Sequence, residues 1–146
     1  MIEVFDLRLA PHWIFSLAQW HFDHWGPLTG AESLNGYVEV LTHATTSEGL
    51  PRVLIAAKDE ELLGSVNLVA CDCQLYPDLT PWLAQLFVTP NARTQGVGRV
   101  LVQTAEREAR ALGFFNYLGK ERMLMERDLR ATEIAPDCMI PVASGR

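Results

Sequence analysis

The chain has 146 residues, enough for one domain with a proper core. Hydrophobic residues make up 49% and charged residues 21%, an ordinary globular balance, and the formal net charge of −6 argues against a general nucleic-acid binder. No apolar run approaches the roughly 18 residues that a membrane span needs. No basic stretch followed by an apolar one stands at the start, so no signal peptide is expected. Cys71, Cys73 and Cys138 leave one thiol unpaired in any pairing, which suits a reducing cytoplasm better than a disulfide scaffold. Cys71 and Cys73 alone make a poor zinc half-site, and no metal is expected.

Glu3 to Leu9 alternates charged and apolar residues and reads as a first strand. Pro11 opens a helical pattern that puts Trp13, Leu17, Trp20 and His24 on one face, and Gly26-Pro27 is expected to break it. Leu34, Val38 and Leu41, with Tyr37, suggest a second helix after a turn at Thr29-Gly30. Val53–Ala57 reads as a buried strand, Asp59-Glu60 as a turn and Leu62–Ala70 as the returning strand of an antiparallel hairpin. A loop from Tyr76 to Pro81 leads to a strand at Leu83–Val88. Next comes the loop Arg93-Thr94-Gln95-Gly96-Val97-Gly98, and then an amphipathic helix that stops at Gly113. Its core face is Val97, Val100, Leu101, Ala105, Ala109 and Leu112. The order of elements predicts an α/β or α+β domain around a mixed sheet, with residues 131–146 as an irregular tail.

The 93–98 loop suits an anion. Its glycines let the backbone approach a ligand, and the N–H groups of the first helical turn point at it. It has neither the Gly-Lys-Ser/Thr of a P-loop nor the third glycine of a dinucleotide-binding turn, and the same residues also fit an ordinary helix start.

The stretch from Leu83 to Gly113, LAQLFVTPNARTQGVGRVLVQTAEREARALG, resembles the GNAT superfamily of acetyl-CoA-dependent N-acetyltransferases. AQWHFDHWG and YPDLTPWLA upstream are also similar to segments of bacterial members. The resemblance implies a mixed, mostly antiparallel sheet flanked by helices, in a single domain over residues 1–130. It implies that Leu86, Phe87 and Val88 pair by backbone with the pantetheine arm of coenzyme A, and that Arg93, Thr94, Gln95, Gly96, Val97, Gly98 and Arg99 hold its pyrophosphate. The function it implies is transfer of an acetyl group from acetyl-CoA to a primary amine of a small molecule or peptide, without metal, nucleic acid or membrane.

After Gly113 the sequence departs from the family. Phe114–Lys120 looks like a late family segment, so the C-terminal part is truncated: the fifth strand and its neighbours are missing from the sequence. The family's general-acid tyrosine falls on Phe115, which has no proton to donate, and leaves Tyr117 as the candidate acid. Asp78 is the candidate base, Asp72 a second choice, and each also suits a plain turn residue. His24, Trp25 and Trp82 are candidates for the acceptor pocket. His21 and His24, three apart on a helix, could hold zinc only with further ligands, and a packed aromatic face is the simpler reading. The open sheet edge motivates the expectation of a homodimer. A catalytically silent acyl-CoA-binding or protein-interaction module, or a remnant that has lost an internal segment, are the alternatives.

Overall fold

The structure is a computed structural model and describes residues 1–29, 33–72, 74–75, 77–78 and 80–114. Four strands form one antiparallel sheet in chain order: β1 (Glu3–Asp6), β2 (Arg52–Lys58), β3 (Glu61–Val69) and β4 (Trp82–Val88). Helices α1 (Ile14–Thr29) and α2 (Leu34–Ala44) cover one face, and α3 (Val97–Ala111) covers the other.

Strand alternation produces this division. Successive side chains on a strand point to opposite faces. Val53 and Ile55 of β2 therefore join Leu17, Ala18, Tyr37 and Leu41 in one core. Leu54 and Ala56 join Val66, Leu68, Val97, Leu101, Ala105 and Ala109 in the other. Each fully buried Leu, Ile or Val contributes about 1.5–3 kcal/mol. The helices need that contribution: α2 is only 11 residues long and carries Gly36, and an isolated helix of that length is marginal in water. Burial of Tyr37, Leu41 and Ala44 against the sheet holds it. Half-buried ion pairs add a clamp at the far side, where Arg52 of β2 reaches Asp6 at 3.6 Å and Glu108 of α3 at 3.2 Å.

Two irregularities shape the β2–β3 hairpin. Asp59 and Glu60 both have positive φ (49° and 64°), the tight two-residue turn that matches strand twist. Just beyond it, Leu62 pairs with Ala57 and Gly64 with Ala56, so Leu63 is an extra residue on β3. Leu63 packs in the α3 core, where the bulge aims it.

The structure corrects three sequence expectations. The first strand stops at Asp6, whose carboxylate accepts from the Arg8 backbone N–H and caps a short 3-10 turn at Leu7–Leu9. Helix α1 does not break at Gly26-Pro27 but runs on to Thr29. Pro27 removes one hydrogen bond close to the helix end, while Gly26 lies against the Phe22 ring and Trp25 packs on His21 and Phe87. Those contacts outweigh the lost bond. Helix α3 starts at Val97, so Val97 and Gly98 belong to its first turn rather than to a loop. Phe115, Tyr117 and the expected tail lie outside the described residues, as does the question of which segment replaces the fifth strand. Among the described residues no helix is long and apolar enough to cross a membrane.

Gly64 lies where β3, β4 and α3 meet. A Cβ there would come within 2.6 Å of the Phe87 carbonyl oxygen and 3.2 Å of Leu101 Cδ1. The backbone contact cannot give way without parting the strands. Gly64→Ala is therefore expected to lower stability by about 1–3 kcal/mol, read from the midpoint of urea unfolding. An unchanged midpoint would mean that β4 is free to shift.

Candidate functional site

The site is built on β4 and the chain that leaves it. Strand β4 is the outer strand of the sheet among the described residues, so its far side offers a row of backbone groups with no ladder partner there. Its pairing with β3 is not uniform. Ser65 faces Phe87 and Asn67 faces Ala84, so two residues of β4, Gln85 and Leu86, stand opposite Val66 alone. Gln85 is left-handed, with φ 51°. A bulge of this kind takes backbone groups out of the ladder and bends the strand.

After Val88 the chain makes a 3-10 turn at Pro90–Ala92, anchored by the buried Ala92. Thr94 (φ 66°) and Gly96 (φ 83°) then turn it into α3. Gly96 caps α3 with no side-chain hydrogen bond. Val100 N–H donates to the Gly96 carbonyl at 3.1 Å, so the N–H groups of Val97, Gly98 and Arg99 precede the first helical bond and have no partner within the helix. No acidic residue stands in that first turn. No carboxylate within that turn offsets the positive end of the helix dipole. A Cβ built on Gly96 would meet nothing within 4 Å, so open space lies beside these donors. Arg93 folds back instead of standing clear: its Nε donates to the Val88 carbonyl at 3.0 Å, and its guanidinium carbon lies 5.9 Å from the Phe87 ring centre. Gln95 Nε2 donates to the Asn91 carbonyl at 3.0 Å and braces the loop from within. Thr94 and Arg99 are exposed.

On the α1 side of β4 the Phe87 ring is the hub of an aromatic cluster. Trp20, His24 and Trp25 lie 5.2, 5.7 and 6.3 Å from it, centre to centre. Thus the structure brings His24 and Trp25 together with Phe87. Trp82 is buried at the start of β4, opposite Val69. Asp78 stands exposed in the turn ahead of β4, and Asp72 is half-buried before it. Leu86 and Val88 pack toward α3, the opposite face from Phe87.

Sequence reading missed a buried polar set beside the cluster. His21 is 1% exposed and its Nε2 lies 3.2 Å from Ser65 Oγ, in hydrogen-bonding contact. Asn67, also 1% exposed, donates from Nδ2 to Gln85 Oε1 at 2.6 Å. The signal was there: Ser65 and Asn67 interrupt an apolar strand two residues apart, which puts both on one face. His21 and His24 do not form a metal pair, since one points into the core and the other packs at the surface on Trp25. Among the described residues no group of three or more His, Cys, Asp or Glu is placed to hold a metal ion.

Comparison with known proteins agrees with this geometry. The model of the acetyltransferase (GNAT) family matches residues 16–123, and the chain belongs to that family. No curated protein matches the sequence. Among solved structures, the aminoglycoside N-acetyltransferase AAC(6')-Iy in complex with CoA is 13% identical, with a TM-score of 0.63 over 88% of this chain and 86% of that one. A possible acetyltransferase from Clostridium difficile 630 is 10% identical, with a TM-score of 0.62 over 92% and 93% of the two chains. An aminoglycoside acetyltransferase from an uncultured soil metagenomic sample is 14% identical, with a TM-score of 0.58 over 92% and 94%. At these identities the likeness establishes the fold.

Burial pushes the His21 pKa down to about 3, and the nearby His24 adds to the fall. The ordinary value is about 6.5. Between the two the unfolded chain binds a proton that the folded chain refuses, so stability is intact above the upper value and drains away as pH falls toward the lower one. The wild type is expected to lose more stability between pH 7 and pH 4.5 than His21→Gln, as measured by urea unfolding at both. Equal losses would mean that His21 is not held neutral.

Proposed function

We propose that this chain transfers an acetyl group from acetyl-CoA to a primary amine of a small molecule or peptide. The observation that carries the reading is the continuity of one edge. The bulge at Gln85-Leu86, the outer side of Val88, where Arg93 holds the carbonyl, and the donors at the start of α3 follow one another along the chain. An extended arm ending in a pyrophosphate fits that sequence of features. The structural relative that holds CoA has the same fold.

Acetyl-CoA supplies an acyl carbon already activated by its thioester. The residues of this chain do the rest. Leu86, Phe87 and Val88 offer backbone groups to the pantetheine arm, as an added strand would. A backbone N–H at the bulge, near Leu86, donates to the carbonyl oxygen as negative charge grows there. The N–H groups of Val97, Gly98 and Arg99 take the pyrophosphate, with charge from Arg93 and Arg99. Thr94, Gln95 and Gly96 shape the loop that lets it approach. His24 and Trp25, with the Phe87 ring, form the wall for the incoming amine, and Trp82 supports the strand behind it.

The amine attacks through its lone pair, so it must arrive neutral or lose a proton as it reacts. Asp78 is the candidate base, acting through water from its exposed turn. As the C–S bond breaks, the departing thiolate takes a proton, for which Tyr117 is the candidate donor. The chain folds as a single unit over residues 1–130 in this reading. In a homodimer, a second copy of the chain would supply the missing strand at the Trp82–Ala84 end of β4 and leave the 86–88 edge to the pantetheine arm.

The phenylalanine at position 115 favours one other reading, a module that binds an acyl-CoA without turning it over. Calorimetry with CoA and acetyl-CoA, followed by thiol release over a panel of amines, separates the two. Binding with amine-dependent thiol release is the expected outcome. Binding alone would favour the silent module, and no binding at millimolar ligand would sink both. Gly96→Asp tests the loop. It forces a side chain into a left-handed position and adds a negative charge among the donors. Affinity for CoA is expected to fall about a hundredfold or more, the scale of a lost charge-assisted contact compounded by repulsion, with the thermal transition still cooperative. Unchanged affinity would mean that the pyrophosphate binds elsewhere.

A further inference from the structure

Asn67 is an expensive residue for its place. It sits 1% exposed between Val66 and Leu68, and its Oδ1 has no hydrogen-bond partner among the described residues. A buried unpartnered carbonyl carries a desolvation penalty that a valine there would not. What asparagine supplies and valine cannot is the donor, Nδ2, which reaches Gln85 Oε1 at 2.6 Å. Gln85 is itself a costly residue for its conformation. Its φ of 51° lies in the left-handed region that side chains other than glycine avoid. Glycine would adopt it freely. Two unfavourable choices thus meet in one hydrogen bond, at the point where β4 leaves the β3 ladder. Strain of this sort persists only where the surroundings over-determine it.

We propose that Asn67 is a positioning residue: through Gln85 it holds the bulge in β4, and so fixes the backbone at Gln85-Leu86 in the place where it meets the acyl group. This rests on the acetyltransferase reading for its catalytic consequence, but not for the bulge itself. Asn67 touches neither substrate nor acyl donor. It acts by locking the side chain of Gln85, which locks the left-handed φ and keeps two residues of β4 opposite Val66. His21 and Ser65 close the same face one step along β3, so Asn67 sits in a walled position where water does not compete for its donor.

The test uses Asn67→Val, Gln85→Gly and the double variant in the full chain. Asn67→Val removes the donor and the orphan oxygen together, so a cooperative thermal transition is expected. Its kcat should fall about tenfold to a hundredfold, the cost of a misplaced donor, with KM for acetyl-CoA within about threefold of the wild type. Adding Gln85→Gly should restore most of the lost kcat, since glycine holds a left-handed φ without an anchor. In parallel, NMR couplings should show Gln85 leaving positive φ in Asn67→Val. A wild-type kcat in Asn67→Val, no recovery in the double variant, or an unmoved Gln85 φ would each overturn the proposal. If the wild type bound no acetyl-CoA, the acetyltransferase reading would fall, and the NMR result alone would uphold or overturn Asn67 as the anchor of the bulge.

Discussion

The antiparallel pairing of β3 with β4 sets where the rest of the site falls. It is regular from Trp82 opposite Val69 to Ala84 opposite Asn67, and regular again where Phe87 and Val88 face Ser65 and Gly64. Between these stretches one extra residue changes the count. Because side chains alternate, that extra residue decides which of Leu86, Phe87 and Val88 looks toward α1 and which toward α3. Phe87 reaches the aromatic cluster, while its two neighbours enter the core beneath the loop. Gly64 permits the close approach of the strands that this register demands.

Much of this architecture was legible in the sequence. The 52–70 hairpin, the strand before the 93–98 loop and the amphipathic helix after it all show their periods plainly, and period is what burial selects. The turn into α3 was legible for a different reason: glycine and positive φ go together, and Gly96 shows both. What failed did so where packing overruled local preference. Pro27 reads as a stop, yet the contacts of Trp25 and Gly26 carry α1 past it.

The polar core was the harder part. His21 lies one helical turn from Leu17 and so on the buried face, but its partner Ser65 is 44 residues away in the chain. The strand shows Ser65 as a polar break on one face, but nothing local pairs it with His21. The same holds for Gln85, whose left-handed φ is unmarked by any turn residue and whose side chain meets Asn67 from the neighbouring strand, 18 residues away. Asp78, exposed in its turn, illustrates the opposite difficulty. An aspartate there serves a turn equally well, so residue type alone does not assign it chemistry. Tyr117 falls outside the described residues, and its role rests on sequence.

The sheet, one layer thick with a separate core on either side, acts as a partition. Leu17, Tyr37 and Leu41 never share a core with Leu101 and Ala105. Substitutions far apart and without common partners combine additively. The aromatic face on α1 can therefore be repacked, one residue at a time, without disturbing Leu101 and Ala105 of α3; Phe87, whose ring also meets Arg93, is where the two sides touch. In the proposed reading, the acceptor wall and the acyl-donor loop can diverge separately everywhere except at that one contact.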